Sequence, residues 1–313
     1  MSLHFLKPGL QTSIQDSGRP GMLRWGLPRG GAADTFAMAL ANLLLGNPAT
    51  HPCLEVALTG PVIEFSETLS IAICGAHFEL TLNGTTVEND RVIPIKKGDQ
   101  LSFGKLKHGC RAYLALSAEF GLPEVFHSQA THLLSAFGGL DGRAICAGDI
   151  VALRHCRRVQ ERALPDQFHL RYSNRPLVRI LPGTEAHHFP QEALEVFNRG
   201  GYAVSSQSNR MGIRLDGTPL VTDGLPQMVS SALCPGTVQI PPNGLPIISF
   251  VEGQTIGGYP RIAHVISADL NLLGQLQARD RIDFEPVSLS AAHQILRDKS
   301  RLLETLSEQL ARV

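Results

Sequence analysis

The residues best equipped for chemistry gather between Arg210 and His264. Glu252, Gln254, Thr255 and Tyr259 follow the apolar run Ile247 to Val251, and Gln239 stands within the short β-prone run that begins at Thr237. Such a density of hydrogen-bonding groups at strand ends is what a ligand pocket needs. Gly257-Gly258 leave no side chain between a ligand and the backbone, although a tight turn alone accounts for them equally well. Arg210 follows Ser208-Asn209 in a turn-like segment, where a guanidinium either grips a carboxylate through paired hydrogen bonds or simply faces water. A second candidate lies near the N-terminus. Arg29-Gly30-Gly31-Ala32-Ala33-Asp34 is a glycine-rich approach to a helix start, a place for an anionic substrate group, with Asp34 either part of that site or the helix cap.

The elements that must position these groups read mainly as strands. Gly236 to Pro260 is a hairpin followed by a site loop, its turn marked by Pro241-Pro242-Asn243-Gly244. From Pro52 to Gly104 short apolar runs alternate with turns, and Asn83-Gly84 is a strong hairpin signal. The region through Gly138-Gly139 and Gly142-Arg143 has little periodicity and reads as a lid or as packing between domains. Three helices stand out: one capped by Asp34 and ended by Gly46 and Pro48, a short one over Pro190 to Asn198, and an amphipathic one from Leu289 to Ala311.

A polar, turn-rich break spans Val159 to Arg175, and the chain then begins again. Leu177 to Gly183 echoes Leu3 to Gly9, Ser205 to Gly212 echoes Ser13 to Gly21, and Ala278 to Phe284 echoes Lys97 to Phe103. Three echoes in order predict two related β-domains in tandem, over residues 1–165 and 166–287, with a helix at 288–313.

Composition narrows the partners. In 313 residues, 28 basic side chains balance 28 acidic ones, so no broad field draws the chain to nucleic acid or anionic lipid. No apolar run reaches membrane-spanning length and the N-terminus lacks a signal-peptide pattern, which gives a cytoplasmic expectation. The six cysteines show no paired spacing and read as reduced thiols. The histidines have no metal-ligand spacing, so no metal is expected, and the phosphate-loop, dinucleotide, zincin and nucleophile-elbow signatures are all missing.

Gly9 to Gly21, Gly31-Ala32-Ala33-Asp34 with Ala41-Asn42 and Gly46-Asn47, Ser208 to Gly212, Val238 to Pro242 and Gln254 to Pro260 together resemble the biotin-dependent carboxyltransferase/allophanate hydrolase subunit 2 family. Among its stand-alone members the chain is most similar to the C-type subunits of 5-oxoprolinase, the KipA group. The resemblance implies tandem cyclophilin-like β-barrels with a few short helices and a C-terminal helix. It also implies a complex with a cyclophilin-like B-type subunit and a third, A-type subunit that hydrolyses 5-oxoproline to glutamate, with ATP used by the complex at a site not located in this chain. Alternatives are a urea or allophanate-type carboxyltransferase subunit, the only case that involves biotin, and a regulatory protein that binds a cyclophilin-like kinase inhibitor. Against a planar amide or ureide, Arg210 would clamp an anion or carbonyl, Gln239, Gln254 and Tyr259 would orient the amide, and Glu252 or His264 would move a proton. Arg29, Asp34, Gly257 and Gly258 complete the expected binding set. Three positions depart from the family pattern: Gly253 replaces an arginine, Gly30 a serine, and Ala278-Arg279-Asp280 a Pro-Gly-Asp turn.

Overall fold

Alternation of buried and exposed residues marks strands such as Ser2–Lys7, Ile150–Arg154 and Gly212–Asp216, whereas Cys53–Ala57 is buried throughout, and the chain is mainly β, as its sequence implies. The structure is a computed structural model and describes residues 1–222 and 228–311. The chain divides into two compact units. Met1–Arg19, Gly30–Tyr172 and the chain from Leu302 onward form unit 1; Pro20–Arg29 and Ser173–Arg301 form unit 2. One division between the units falls at Tyr172 and Ser173, and the C-terminal helix contributes to both units.

Unit 1 contains β1 (Ser2–Lys7), β2 (Gln11–Gln15), α1 (Thr35–Leu44), β3 (Cys53–Ala57), β4 (Val62–Phe65), β5 (Leu69–Leu82), β6 (Thr85–Val87), β7 (Val92–Ile95), β8 (Gln100–Leu116), β9 (Glu119–Phe120) and β10 (Ile150–Arg154). Its main path runs β2-β3-β8-β4-β1-β10-β9, with β5 branching from β8 and β6 and β7 pairing with β5. The apolar runs Leu69 to Cys74 and Phe78 to Leu82 belong to one strand, because bulges between Gly75 and Leu80 bend the pairing with β8 without breaking it. Leu3, Phe5, Ile63, Ile71 and Leu114 lie in the main core, while α1 packs Phe36, Leu40 and Leu44 against Cys53, Cys74 and Tyr113. Asn83 and Gly84 take φ of 53° and 82°, the left-handed pair that a two-residue hairpin requires.

The low-periodicity region is hydrogen-bonded into unit 1. It lies along β2, where the Thr131 and Ile145 amides donate to the Ile14 and Thr12 carbonyls, each at 2.8 Å. Asp16, just past the strand, accepts hydrogen bonds from the Ser128 hydroxyl and the Gln129 amide.

Unit 2 contains β11 (Leu177–Pro182), α2 (Gln191–Arg199), β12 (Tyr202–Val204), β13 (Gly212–Asp216), β14 (Ser231–Ala232), β15 (Thr237–Gln239), β16 (Ile247–Ser249), β17 (Ile256–Gly257), β18 (Arg261–Val265), α3 (Leu270–Leu273) and β19 (Arg281–Pro286). Seven strands close into a barrel in the order β11-β18-β15-β16-β13-β12-β19, sealed by the parallel pair β11 and β19. Val178, Ile213, Leu215, Val238, Ile248 and Ile282 are buried along it. The tandem units are therefore not copies in closure, since unit 1 leaves its sheet open. They do share a turn. Asp99 accepts from the Lys96 amide and Asp280 from the Gln277 amide in the same i to i−3 arrangement, with Gly98 and Arg279 both at positive φ.

Helix α4 (Leu289–Ala311) matches the range read from the sequence. Ala292 and Ile295 pack with Ile266 and Ala268 in unit 2, while Leu306 and Leu310 join the α1 core of unit 1.

Candidate functional site

Pleat alternation on the barrel wall decides which side chains leave the core. On β13, Ile213 and Leu215 are buried while Arg214 is exposed. Register then aligns Gly212 with Ser249, Arg214 with Ile247, and Gln239 with Ile247 on one outer face. Over that face lies a cavity of about 180 Å³ lined by Asn209, Met211, Gly212, Arg214, Gln239, Ile247, Ser249, Gln254 and Tyr259. A neighbouring cavity of about 280 Å³ shares Arg214, Ile247 and Tyr259.

Three residues expected from the sequence, Gln239, Gln254 and Tyr259, therefore meet in one hollow. Gln239 is buried and its Nε2 donates to the Tyr259 carbonyl at 3.3 Å, while Tyr259 is exposed. Gly257 lies against both amides: a Cβ there would stand 2.9 Å from the Gln239 Nε2 and 2.9 Å from the Gln254 Nε2. β17, which carries Gly257, pairs with the two-residue β14, and this small ribbon flanks the loop that supplies Gln254 and Tyr259. Gly258 is less crowded, its missing Cβ 3.2 Å from the Ser230 hydroxyl.

Arg210 and Glu252 do not face this hollow. Both are buried, and the Arg210 Nε donates to the Glu252 Oε1 at 2.5 Å. Backbone bonds reinforce the pair, from Glu252 N to Arg210 O at 2.8 Å and from Phe250 N to Met211 O at 2.9 Å. The ion pair thus braces two segments of the cavity wall, and the guanidinium that lines the hollow is that of Arg214. The Ile213, Arg214, Leu215 alternation carried that signal, and the expectation centred on Arg210 missed it together with Asn209 and Ser249.

His264 sits on β18 beside Thr237, its Nδ1 3.3 Å from the Thr237 hydroxyl, and does not line the hollow. Asp34 is the cap of α1. It is fully buried, one carboxylate oxygen accepts the Phe36 and Ala37 amides, and the other accepts the Tyr172 phenol at 2.9 Å. Gly31 explains the preceding glycines: at φ 81°, its missing Cβ would lie 2.6 Å from the Gly18 nitrogen, so the backbones touch where a ligand was expected. Arg29 is exposed at the end of the segment that groups with unit 2.

Unit 1 has a wider hollow of about 910 Å³, lined in part by His77, Asp90, Lys107 and His108 and by none of the residues expected from the sequence. His77 Nε2 lies 2.6 Å from the Asp90 carboxylate, and desolvation followed by the charge of His77 pushes the His108 imidazole below its ordinary range. Among the described residues no group of three or more His, Cys, Asp or Glu is placed to hold a metal ion, and no helix is long and apolar enough to cross a membrane.

The carboxyltransferase domain, subdomains A and B, matches residues 25–286, well over half the chain. The chain belongs to the carboxyltransferase-domain family. Among its relatives, the C-type subunit of the Escherichia coli K12 5-oxoprolinase is 37% identical over 308 residues, covering 98% of this chain and 98% of that protein. The urea amidolyase of Lachancea kluyveri is 31% identical over 96% of this chain, which spans only 18% of that protein. The crystal structure of the Kluyveromyces lactis urea carboxylase superposes with a TM-score of 0.91 at 29% identity, over 97% of this chain and 29% of the other.

Two departures from the carboxyltransferase-domain pattern have a structural reading. At Gly253 a Cβ would meet the Ser249 hydroxyl at 2.4 Å and the Met211 carbonyl at 2.8 Å, so a family arginine requires this part of the wall to shift. At Arg279 the left-handed turn conformation is kept at φ 78° without the usual glycine, which places a side chain on strained backbone.

Proposed function

We propose that this chain is the C-type subunit of an ATP-consuming 5-oxoprolinase, and that the unit 2 cavity holds a small cyclic amide. The observation that carries this reading is the two-way match to the E. coli protein, 98% of each chain, where the urea amidolyase relative extends far beyond the shared region. The cavity suits such a ligand. Gln239 and Gln254 offer the donor and acceptor that a lactam N–H and C=O require, Ser249 and Tyr259 add hydroxyls, and the Arg214 guanidinium complements a carboxylate at the edge. At about 180 Å³ it is small for a nucleotide, so ATP consumption belongs to the assembly and not to this hollow.

Membership of an assembly also needs a face for the partners. Trp25, Val229 and Ile256 stand 74%, 87% and 59% exposed on unit 2. The missing Cβ of Gly26 lies 4.0 Å from the Thr255 hydroxyl, which sets the Trp25 turn beside Ile256. Exposed aromatic and β-branched groups near a ligand cavity are characteristic of an interaction surface. Trp25→Ala is expected to leave the melting temperature unchanged while weakening assembly with the cyclophilin-like partner about tenfold or more, measured by sedimentation or calorimetry.

Reconstitution of the three proteins tests the activity. ADP and glutamate formation that depends on 5-oxoproline is expected to vanish when this chain is omitted, and Gln239→Ala or Arg214→Ala is expected to raise KM about tenfold. Unchanged turnover without the chain, or carboxylation of a biotin-bearing partner instead, would overturn the proposal.

A further inference from the structure

Cys234-Pro235-Gly236-Thr237 forms a tight turn at the start of β15. The Thr237 amide donates to the Cys234 carbonyl at 3.2 Å, with proline in the second place and Gly236 at φ 90° in the third, the requirements of a type II turn. A Cβ at Gly236 would meet a Leu270 methyl at 2.8 Å and the Val265 carbonyl at 3.0 Å, so the turn is packed as well as preferred. It places the exposed Cys234 thiol above the first residue of the strand. Thr237 in turn pairs across the ladder with His264.

The three side chains close a ring of contacts. Cys234 Sγ lies 3.9 Å from the His264 Nε2 and 3.7 Å from the Thr237 Oγ1, and Thr237 Oγ1 lies 3.3 Å from the His264 Nδ1. An arrangement with the sulfur as acceptor satisfies all three. The imidazolium Nδ1–H donates to the threonine oxygen, the threonine O–H donates to sulfur, and the Nε2–H donates to sulfur. The Arg261 guanidinium adds positive charge nearby, and together these groups, His264 first, hold the thiol below its ordinary range. Burial does the reverse at Cys53 and Cys74, which it pushes up and keeps as inert thiols.

We propose that Cys234 is a thiol-modification site, a thiolate–imidazolium centre built by the Cys234–Thr237 turn and His264 that is oxidised by hydroperoxides and restored by small thiols. The sulfur attacks the terminal peroxide oxygen; an S–O bond forms, the O–O bond breaks, and two electrons pass from sulfur to the peroxide. The leaving alkoxide takes the Nε2 proton of His264, giving an alcohol, a neutral imidazole and a sulfenic acid. One equivalent of a small thiol condenses with the sulfenic acid and releases water, and a second displaces the mixed disulfide to return the free cysteine. A general-base partner oriented by a third group is the arrangement that activates a sulfur nucleophile, and the sequence offers no local motif for it because Cys234 lies in the turn before β15 and His264 on β18, brought together by the pairing of Thr237 with His264.

The test is internal to the chain, because Cys146 is also exposed and its thiol donates to the Ala144 carbonyl at 3.8 Å, with no imidazole partner among the described residues. Full-length protein is labelled with iodoacetamide across pH 5.5 to about 9.5 and the rate at each cysteine is read by peptide mass spectrometry. Cys234 is expected to label several-fold faster than Cys146 near neutral pH, with its midpoint at lower pH. His264→Gln is expected to raise that midpoint, the rate at neutral pH falling about tenfold for each unit of displacement. Dilute hydrogen peroxide followed by dimedone is expected to mark Cys234 ahead of Cys146. Equal labelling of the two thiols in the wild-type chain, or a Cys234 profile indifferent to His264→Gln in a protein with an unaltered melting temperature, would overturn the assignment.

Discussion

Truncating Arg210 separates a binding role from a bracing one. The Arg210 and Glu252 side chains are 5% and 2% exposed, so Arg210→Ala leaves a carboxylate buried without its guanidinium. Breaking a buried pair from one side costs about 3–5 kcal/mol, whereas a group that touches only ligand costs the fold almost nothing when removed. For a unit of this size the loss corresponds to a fall of roughly 10 °C or more in melting temperature. The double variant Arg210→Met with Glu252→Leu removes both charges and fills the space, and is expected to recover most of that loss. The assay is urea unfolding of the wild type, Arg210→Ala and the double variant, beside KM for any variant that folds. A single variant with wild-type stability and a raised KM would refute the bracing role and return Arg210 to the ligand.

Three further outcomes follow from the geometry. Gly257→Ala intrudes on the free ends of Gln239, Gln254 and Leu233, which can swing aside, so it is expected to raise KM about tenfold with less than about 1 kcal/mol of destabilisation in urea. The Glu185 carboxyl is held below its ordinary range first by its hydrogen bond to Arg261, so the pair adds stability above the unfolded glutamate range near pH ~4.3 and loses it as pH falls through the lower folded value. Glu185→Gln is therefore expected to flatten that acidic limb in a stability series over pH. Arg279→Gly relieves a left-handed residue, and unfolding in urea is expected to show unchanged stability or a gain of up to ~1 kcal/mol, against the usual destabilising trend.

Much of the scaffold was legible in local patterns. The Asn83-Gly84 hairpin, the Asp34-capped helix and the long C-terminal helix follow from turn chemistry, capping and periodicity, which act over a few residues. Strand continuity was less so: the apolar runs Leu69 to Cys74 and Phe78 to Leu82 read as separate, yet bulged pairing with β8 joins them in one strand. The site was half legible. Gln239, Gln254 and Tyr259 could be picked out by type, but the Arg210 to Glu252 pair and the register that sets Arg214 beside Ile247 depend on contacts between distant segments. Burial decides between a ligand clamp and an internal brace, and residue type alone does not report burial.

The segment lying along β2 bears on whether the sheet border can recruit a second molecule. An open sheet invites a neighbouring molecule to add a strand wherever a border presents unsatisfied peptide groups. Here the Thr12 and Ile14 carbonyls are already taken by Ile145 and Thr131 of the same chain. Deleting that stretch would bare the border, and the resulting protein should self-associate through strand addition while its ligand chemistry stayed whole.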